Sequence, residues 1–212
     1  MVERPDGIRL VTRRIKKNRK NKRKDMTNYH LILASNSPRR RELLEGLDLP
    51  FTVKVKKYVP EDYPKDLPVA QVPQFIAKEK ASAYDVCHGE LLLTADTVVV
   101  VGQEVLGKPV DELDARRMLR LLSGRTHQVI TGVCLTTTSQ QKAFSVSTNV
   151  TFKELSDDEI NYYISKYQPF DKAGAYGIQE WIGYVGVTKL EGSYYNVMGL
   201  PVQRIYEEMQ TM

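Results

Sequence analysis

Two hydrophobic rhythms alternate along the chain, and their order predicts the fold. "HLILA" at 30–34 is a short unbroken apolar run, the length of a buried strand. Ser37 and Pro38 then supply a helix N-cap and a first-turn proline, and Gly46 a stop. "FTVKVKKYV" (51–59) alternates as a strand does, and the proline-rich acidic stretch "PEDYPKDLP" (60–68) reads as a loop. Residues 70–86 read as a helix that places Val72, Phe75, Ile76 and Lys80 on one broad face. "LLLTADTVVVV" (91–101) is a strand pair or one bent strand, with "GQEVLGKP" turning back on it as a hairpin.

The second half changes character. A helix starts at Asp111 and stops at Gly124, and a long hairpin crosses Ser139–Gln140 with Phe144, Val146, Thr148, Val150 and Phe152 on one face. Ser156 and Glu159 form a capping box for the next helix. Residues 171–200 are glycine-rich and read as mostly loop, and a short helix from Pro201 closes the chain. Strands and helices alternate first and a hairpin follows, so the expected class is α/β: a mixed twisted sheet flanked by helices, in one domain over 26–212.

Charge changes this picture only at the N-terminus. Residues 1–25 hold 11 Lys/Arg against 3 Asp/Glu, leaving 20 against 23 in the remainder, so the net charge of +5 belongs to the arm. The arm has too few apolar residues to order itself. It reads either as a basic arm that attracts nucleic acid non-specifically or as an upstream extension, with Met26 as the start. Nucleic acid is otherwise not an expected partner. The 2 cysteines, Cys87 and Cys134, lack metal-type spacing and suit a reducing compartment, hence a cytoplasmic expectation. No apolar stretch reaches membrane-spanning length.

Chemistry enters at "LILASNSPRRRELL" (31–44). A strand, a turn of small residues and a capped helix make an anion site, because backbone N–H groups and the helix dipole point at an incoming charge. Arg39 and Arg40 fall in the first turn, where cations are unfavourable unless an anion joins them. Solvated arginines at a helix start would give the same letters. Asp96 is more telling, since an acid inside an apolar strand needs a partner, a metal or a task. Thr97 beside it offers a hydroxyl, and Lys108 stands in a Gly-Lys-Pro turn. Glu61 adds a second carboxylate, though a loop glutamate alone is ordinarily just surface, and Lys80 lies on an otherwise apolar helix face, where a solvated "KEK" face is the competing explanation. In "DKAGAYGIQ" (171–179), Gly174 and Gly177 permit close backbone approach, and the Gln179 amide complements the imide edge of uracil or thymine. A purely structural glycine turn would explain that stretch equally well.

These segments, with "SGRTHQVITGV" and "GSYYNVMGLP" in the same order, resemble the Maf family of nucleotide pyrophosphatases over about residues 29–209. The resemblance implies a Maf/ITPase-like sheet with a central cleft. It implies hydrolysis of the α–β anhydride of nucleoside triphosphates with a divalent cation, Mg²⁺ or Mn²⁺. The family's SxSxRR segment falls on Ser35, Ser37, Arg39 and Arg40, its proton acceptor on Asp96, and its acid and lysine positions on Glu61, Lys80 and Lys108. Phosphate binding would then use Ser35, Arg39, Arg40, Lys80 and Lys108, and metal binding Glu61 and Asp96. Arg39, Thr97 and Gln179 match the dTTP/UTP branch at its three selectivity points. His127 is expected to be a structural hydrogen-bonding residue. A homodimer is a possible partner arrangement, and a cell-division regulator with secondary catalysis is the alternative reading of the family.

Overall fold

A computed structural model of the protein describes residues 29–56 and 59–212; the basic arm of residues 1–25 lies outside the described residues. The first half runs β1 (His30–Leu33), α1 (Pro38–Glu45), β2 (Phe51–Val53), α2 (Val72–Ser82), β3 (Glu90–Val101) and β4 (Glu104–Leu106). After α3 (Glu112–Leu122) comes the hairpin of β5 (Thr126–Thr136) and β6 (Gln141–Phe152). The chain ends with α4 (Asp157–Tyr167), α5 (Trp181–Gly186), β7 (Val187–Glu191), α6 (Tyr194–Val197) and α7 (Val202–Met209). The mixed α/β class follows as expected: the sheet order is β2-β1-β3-β5-β6-β7, with β4 on β3. β1 is parallel to β2 and β3, and the other pairs are antiparallel.

β3 is a single 12-residue strand, and its nearly continuous apolar run has a plain cause. Alternate residues enter opposite layers, and both are covered. Leu92, Val98 and Val100 pack beneath α2 with Ile76, Ala77 and Ala81. Leu91 and Leu93 face Leu43 and Leu44 of α1 and Ile205 of α7, while Val99 joins the cluster under α3 and α4. Asp96 and Thr97, being neighbours, therefore belong to opposite faces.

Two expected elements differ. The alternation in "FTVKVKKYV" continues past Val53, but among the described residues, which leave out 57 and 58, the parallel partner extends over Phe51–Val53, because β1 ends at Leu33. The 171–200 segment is also more ordered than its glycine content suggests. A 3₁₀ turn at Ala173–Ala175, α5, β7 and α6 occupy it, and β7 adds to the sheet beside β6. The glycines there permit close packing: a Cβ on Gly183 would stand 1.8 Å from the Ile178 carbonyl oxygen.

His127 has the structural role expected of it. It is 2% exposed, its Nε2 lies 2.8 Å from the Tyr176 hydroxyl, and it packs edge-on against Phe152 and Tyr176. Burial pulls its pKa down to about 4. The unfolded chain, titrating near about 6.5, then binds more protons than the native protein between those values. This contribution is complete above the unfolded pKa and is lost as pH falls through the folded one. We expect about 3 kcal/mol of stability to disappear between pH ~6.5 and ~4. His127→Gln should show a flatter dependence of the denaturation midpoint over that interval, and parallel profiles would refute the assignment.

Candidate active site

The sheet opens where the chemistry collects. β5 occupies one edge of β3 from Leu92 to Val100. The other edge is shared, β1 pairing with Glu90–Leu93 and β4 with Val99–Val101. Among the described residues no strand covers that edge between Leu93 and Val99. A cleft of about 470 Å³ lies there, and Ser35, Ser37, Arg39, Arg40, Glu61, Lys80, Asp96, Thr97, Lys108 and Gln179 all line it. Residues spread over more than a hundred positions of sequence thus share one cavity.

The three consecutive arginines have three different environments. Ser37 caps α1 by accepting from the Arg40 backbone N–H at 3.4 Å, while Ser35 Oγ accepts from the Ser37 N–H at 3.2 Å. Arg41 pairs with Glu45 one turn on, at the exposed surface. Arg40 enters the split: its Nε donates to the Gly199 carbonyl, Nη1 to the Ala95 carbonyl and Nη2 to Thr97 Oγ1, at 2.8, 2.8 and 3.0 Å. It fills part of the gap left by the missing strand, with two guanidinium N–H groups to spare. Burial lowers its pKa, against the raising influence of Asp96; Arg39 lowers it further and Glu61 opposes. Arg39 reaches across the cleft to Asp171 Oδ2 at 2.7 Å.

On the α2 face, Lys80 Nζ lies 2.8 Å from Asp96 Oδ1 and 2.7 Å from Glu61 Oε1. Lys80 reaches Asp96 because α2 lies directly on the sheet over Gly132, the register partner of Asp96. Burial raises the Glu61 pKa, but the Lys80 hydrogen bond and the charges of Lys80, Lys108 and Arg40 outweigh it, leaving Glu61 below the ordinary carboxylate value. Two hard carboxylate oxygens therefore converge on one cation, a donor set that suits a small divalent ion completed by phosphate oxygens and water. Among the described residues no group of three or more His, Cys, Asp or Glu is placed to hold a metal unaided.

On the opposite face, Thr97 Oγ1 lies 3.0 Å from Thr131 Oγ1, and Thr131 Oγ1 donates to the Asn196 carbonyl at 3.1 Å. Asn196 Nδ2 donates to Val129 O and Thr148 Oγ1, both at 3.0 Å, which fastens the 192–200 loop to the sheet. Gln179 lines this side, and its Oε1 is buried with no hydrogen-bond partner. Lys108 is exposed at the rim, and the Gly174 N–H donates to the Gly107 carbonyl beside it at 3.0 Å.

Sequence reasoning missed Asp171, Lys172 and Asn196. Desolvation would raise the Asp171 pKa, but hydrogen bonds from Lys172 and Arg39 overcome it and hold the carboxyl at about 2. The charged Asp-Lys pair opening a glycine-rich run was the available signal. Asn196 carried none, because an asparagine between tyrosine and valine gives no indication that its amide will face a sheet.

The arrangement is that of an α/β protein with a cationic and carboxylate-bearing cleft at a split sheet edge. Residues 30–212 match the family model described as Maf-like protein, and the chain belongs to the Maf family. It is 57% identical over 190 residues to a dTTP/UTP pyrophosphatase of Phocaeicola vulgatus, covering 89% of this chain and 98% of the relative. The dTTP/UTP pyrophosphatase of Bacteroides thetaiotaomicron is 54% identical over the same length and the same shares. A crystal structure of a nucleoside-triphosphatase / dITP/XTP pyrophosphatase from Mycobacterium abscessus aligns with 14% identity and a TM-score of 0.38, over 59% of this chain and 75% of its own. No helix among the described residues is long and apolar enough to cross a membrane.

Proposed function

We propose that this protein is a nucleoside triphosphate pyrophosphatase that hydrolyses dTTP and UTP to the monophosphate and pyrophosphate. The observation carrying this reading is the meeting of Asp96 and Glu61 on Lys80 in the same cleft as Arg39 and Lys108. Identity of 54% and 57% over 190 aligned residues with two dTTP/UTP pyrophosphatases supports the substrate class. A pure binder would have no need of the Asp96 carboxylate, and no observation favours the alternative of a regulator with secondary catalysis.

Arg39, Lys108 and the free N–H groups of Arg40 hold the triphosphate, and the α1 N-terminus faces it with Ser35 and Ser37 shaping the turn. Asp96 accepts the proton of the water that attacks the α-phosphorus. As the new P–O bond forms, the α–β bridging bond breaks and pyrophosphate leaves with its electron pair. Charge building on the phosphoryl oxygens is met by fixed cations, so rate comes mainly from positioning and electrostatics. A divalent cation held by Glu61 and Asp96 supplies charge neutralisation at the phosphates when bound. Lys80 spans these two carboxylates, and its ammonium would be available to a phosphate oxygen were a divalent cation to neutralise them.

At the other end, Gln179 pairs with the imide edge of the base. Thr97 acts through the Arg40 and Thr131 contacts that fix this wall of the cleft. Pyrophosphate release measured across natural and modified nucleotides with Mg²⁺ tests the proposal: UTP and dTTP should lead, and purine nucleotides turned over equally well would overturn it. Chelation should abolish release, with recovery on adding Mg²⁺ or Mn²⁺. Full activity in excess chelator would remove the cation from the scheme.

A further inference from the structure

Behind the base-reading turn stand two residues outside the cleft lining. The Gly177 backbone N–H donates to the Tyr163 hydroxyl at 3.0 Å, and that hydroxyl donates to Glu180 Oε2. Tyr163 is fully buried on α4, and burial together with Glu180 pushes its pKa up, so the hydroxyl keeps its proton. A phenol has one proton; with it committed to Glu180, the oxygen faces Gly177 as an acceptor. Glu180 is itself fixed. Its Oε1 lies 3.1 Å from Lys172 Nζ, and the Lys172 side chain is only 9% exposed. The same ammonium pairs with Asp171 Oδ1 at 2.7 Å, and Asp171 Oδ2 holds Arg39.

The Gly177 backbone is the seat on which two side chains meet. A Cβ built there would lie 3.0 Å from Gln179 Nε2 and 3.0 Å from Glu180 Cδ. The Gln179 amide and the Glu180 carboxyl thus both lie over the same bare stretch of chain. The Glu180 N–H also donates to the Gly177 carbonyl at 3.0 Å, closing the turn. Within it, Gln179 Oε1 is buried and has no partner in the protein. A buried acceptor left open in a ligand cleft is placed for a donor from outside the chain.

We propose that Tyr163 and Glu180 are positioning residues for base selection, fixing the Gly177–Gln179 turn so that Gln179 Oε1 stays aimed at an N–H on the base. The inference rests on the base-reading role given to Gln179 above. Neither residue touches the nucleotide, and both act through the turn. Uracil and thymine carry a donor on the imide nitrogen and cytosine does not, so the property they protect is the preference for UTP over CTP.

The experiment measures kcat/KM for UTP and CTP, with thermal midpoints, in wild type, Tyr163→Phe, Glu180→Gln and Gln179→Ala. Gln179→Ala should lower the UTP:CTP ratio about tenfold, and Tyr163→Phe and Glu180→Gln about fivefold each. A merely structural role would reduce the active fraction and scale both nucleotides together, leaving the ratio at its wild-type value. If Tyr163→Phe fails to fold, Glu180→Gln carries the test, since the amide keeps the side-chain outline but offers one acceptor where the carboxylate offers two, so either the Tyr163 hydroxyl or Lys172 loses its partner. An unchanged ratio in the positioning variants, with a lowered ratio in Gln179→Ala, overturns the inference alone. An unchanged ratio in Gln179→Ala overturns the base-reading role itself.

Discussion

Asp96→Asn is expected to yield a folded protein that releases pyrophosphate from UTP about 10³-fold more slowly than the wild type. Asparagine has the same outline and keeps an oxygen that accepts from Lys80, but it cannot take a proton from water. The Lys80 ammonium retains Glu61 at 2.7 Å, so the substitution does not leave it unpaired. Asp96 also pairs with Gly132 through backbone register, which the change leaves alone. A shift in unfolding free energy of about 1 kcal/mol or less is therefore expected. Single-turnover pyrophosphate release beside far-ultraviolet circular dichroism separates the two effects. Wild-type turnover in a folded Asp96→Asn protein would mean that the proton goes elsewhere.

Gly132→Ala should do the reverse, damaging the fold at a position that carries no reacting group, although it is the register partner of Asp96. Strand preference alone argues for alanine, which is favoured over glycine in an element interior by about 0.5–1 kcal/mol. Sterics argue the other way, and by more. A Cβ at 132 would lie 2.2 Å from the Gln74 nitrogen and the Pro73 carbonyl carbon, both backbone atoms at the start of α2. Backbone cannot rotate away as a side chain can, so α2 must lift from the sheet, costing about 3 kcal/mol or more. Because α2 carries Lys80, any protein that still folds should also lose activity as the Lys80–Asp96 contact opens. Denaturant midpoints measure the first effect and kcat the second. A midpoint equal to the wild type would show that α2 does not seat on Gly132.

The mutational contrast bears on how the site is built. Gly132 lets a helix approach closely, and this brings a lysine from residue 80 over a carboxylate at residue 96. On the other face, Asn196 and Thr131 hold a loop against the same strands. The cleft is the gap between two partial strand partners of β3, bordered by Lys80 of α2 on one side and partly filled by Arg40 on the other.

Much of this was written in local pattern. The nearly continuous apolar run around Asp96 marked strand structure, though not whether one strand or two, and the Ser-Pro start and Gly46 stop delimited α1, because caps and periodicity depend on near neighbours. The acid in an apolar strand and the arginines at a helix start named themselves by being costly where they stand. Other features depended on partners distant in sequence. That Arg40 donates to the Ala95 and Gly199 carbonyls and to Thr97 could not be read from its neighbours in sequence, nor could the ordering of 171–200 along an available edge of β6. Tyr163 looked like any other apolar residue on a helix stripe until the fold brought Gly177 and Glu180 to its hydroxyl. The sequence by itself determined the elements and the kinds of charge available, since propensity and desolvation act residue by residue. Only the tertiary structure decided which charges meet, because pairing depends on distances that no local interaction sets.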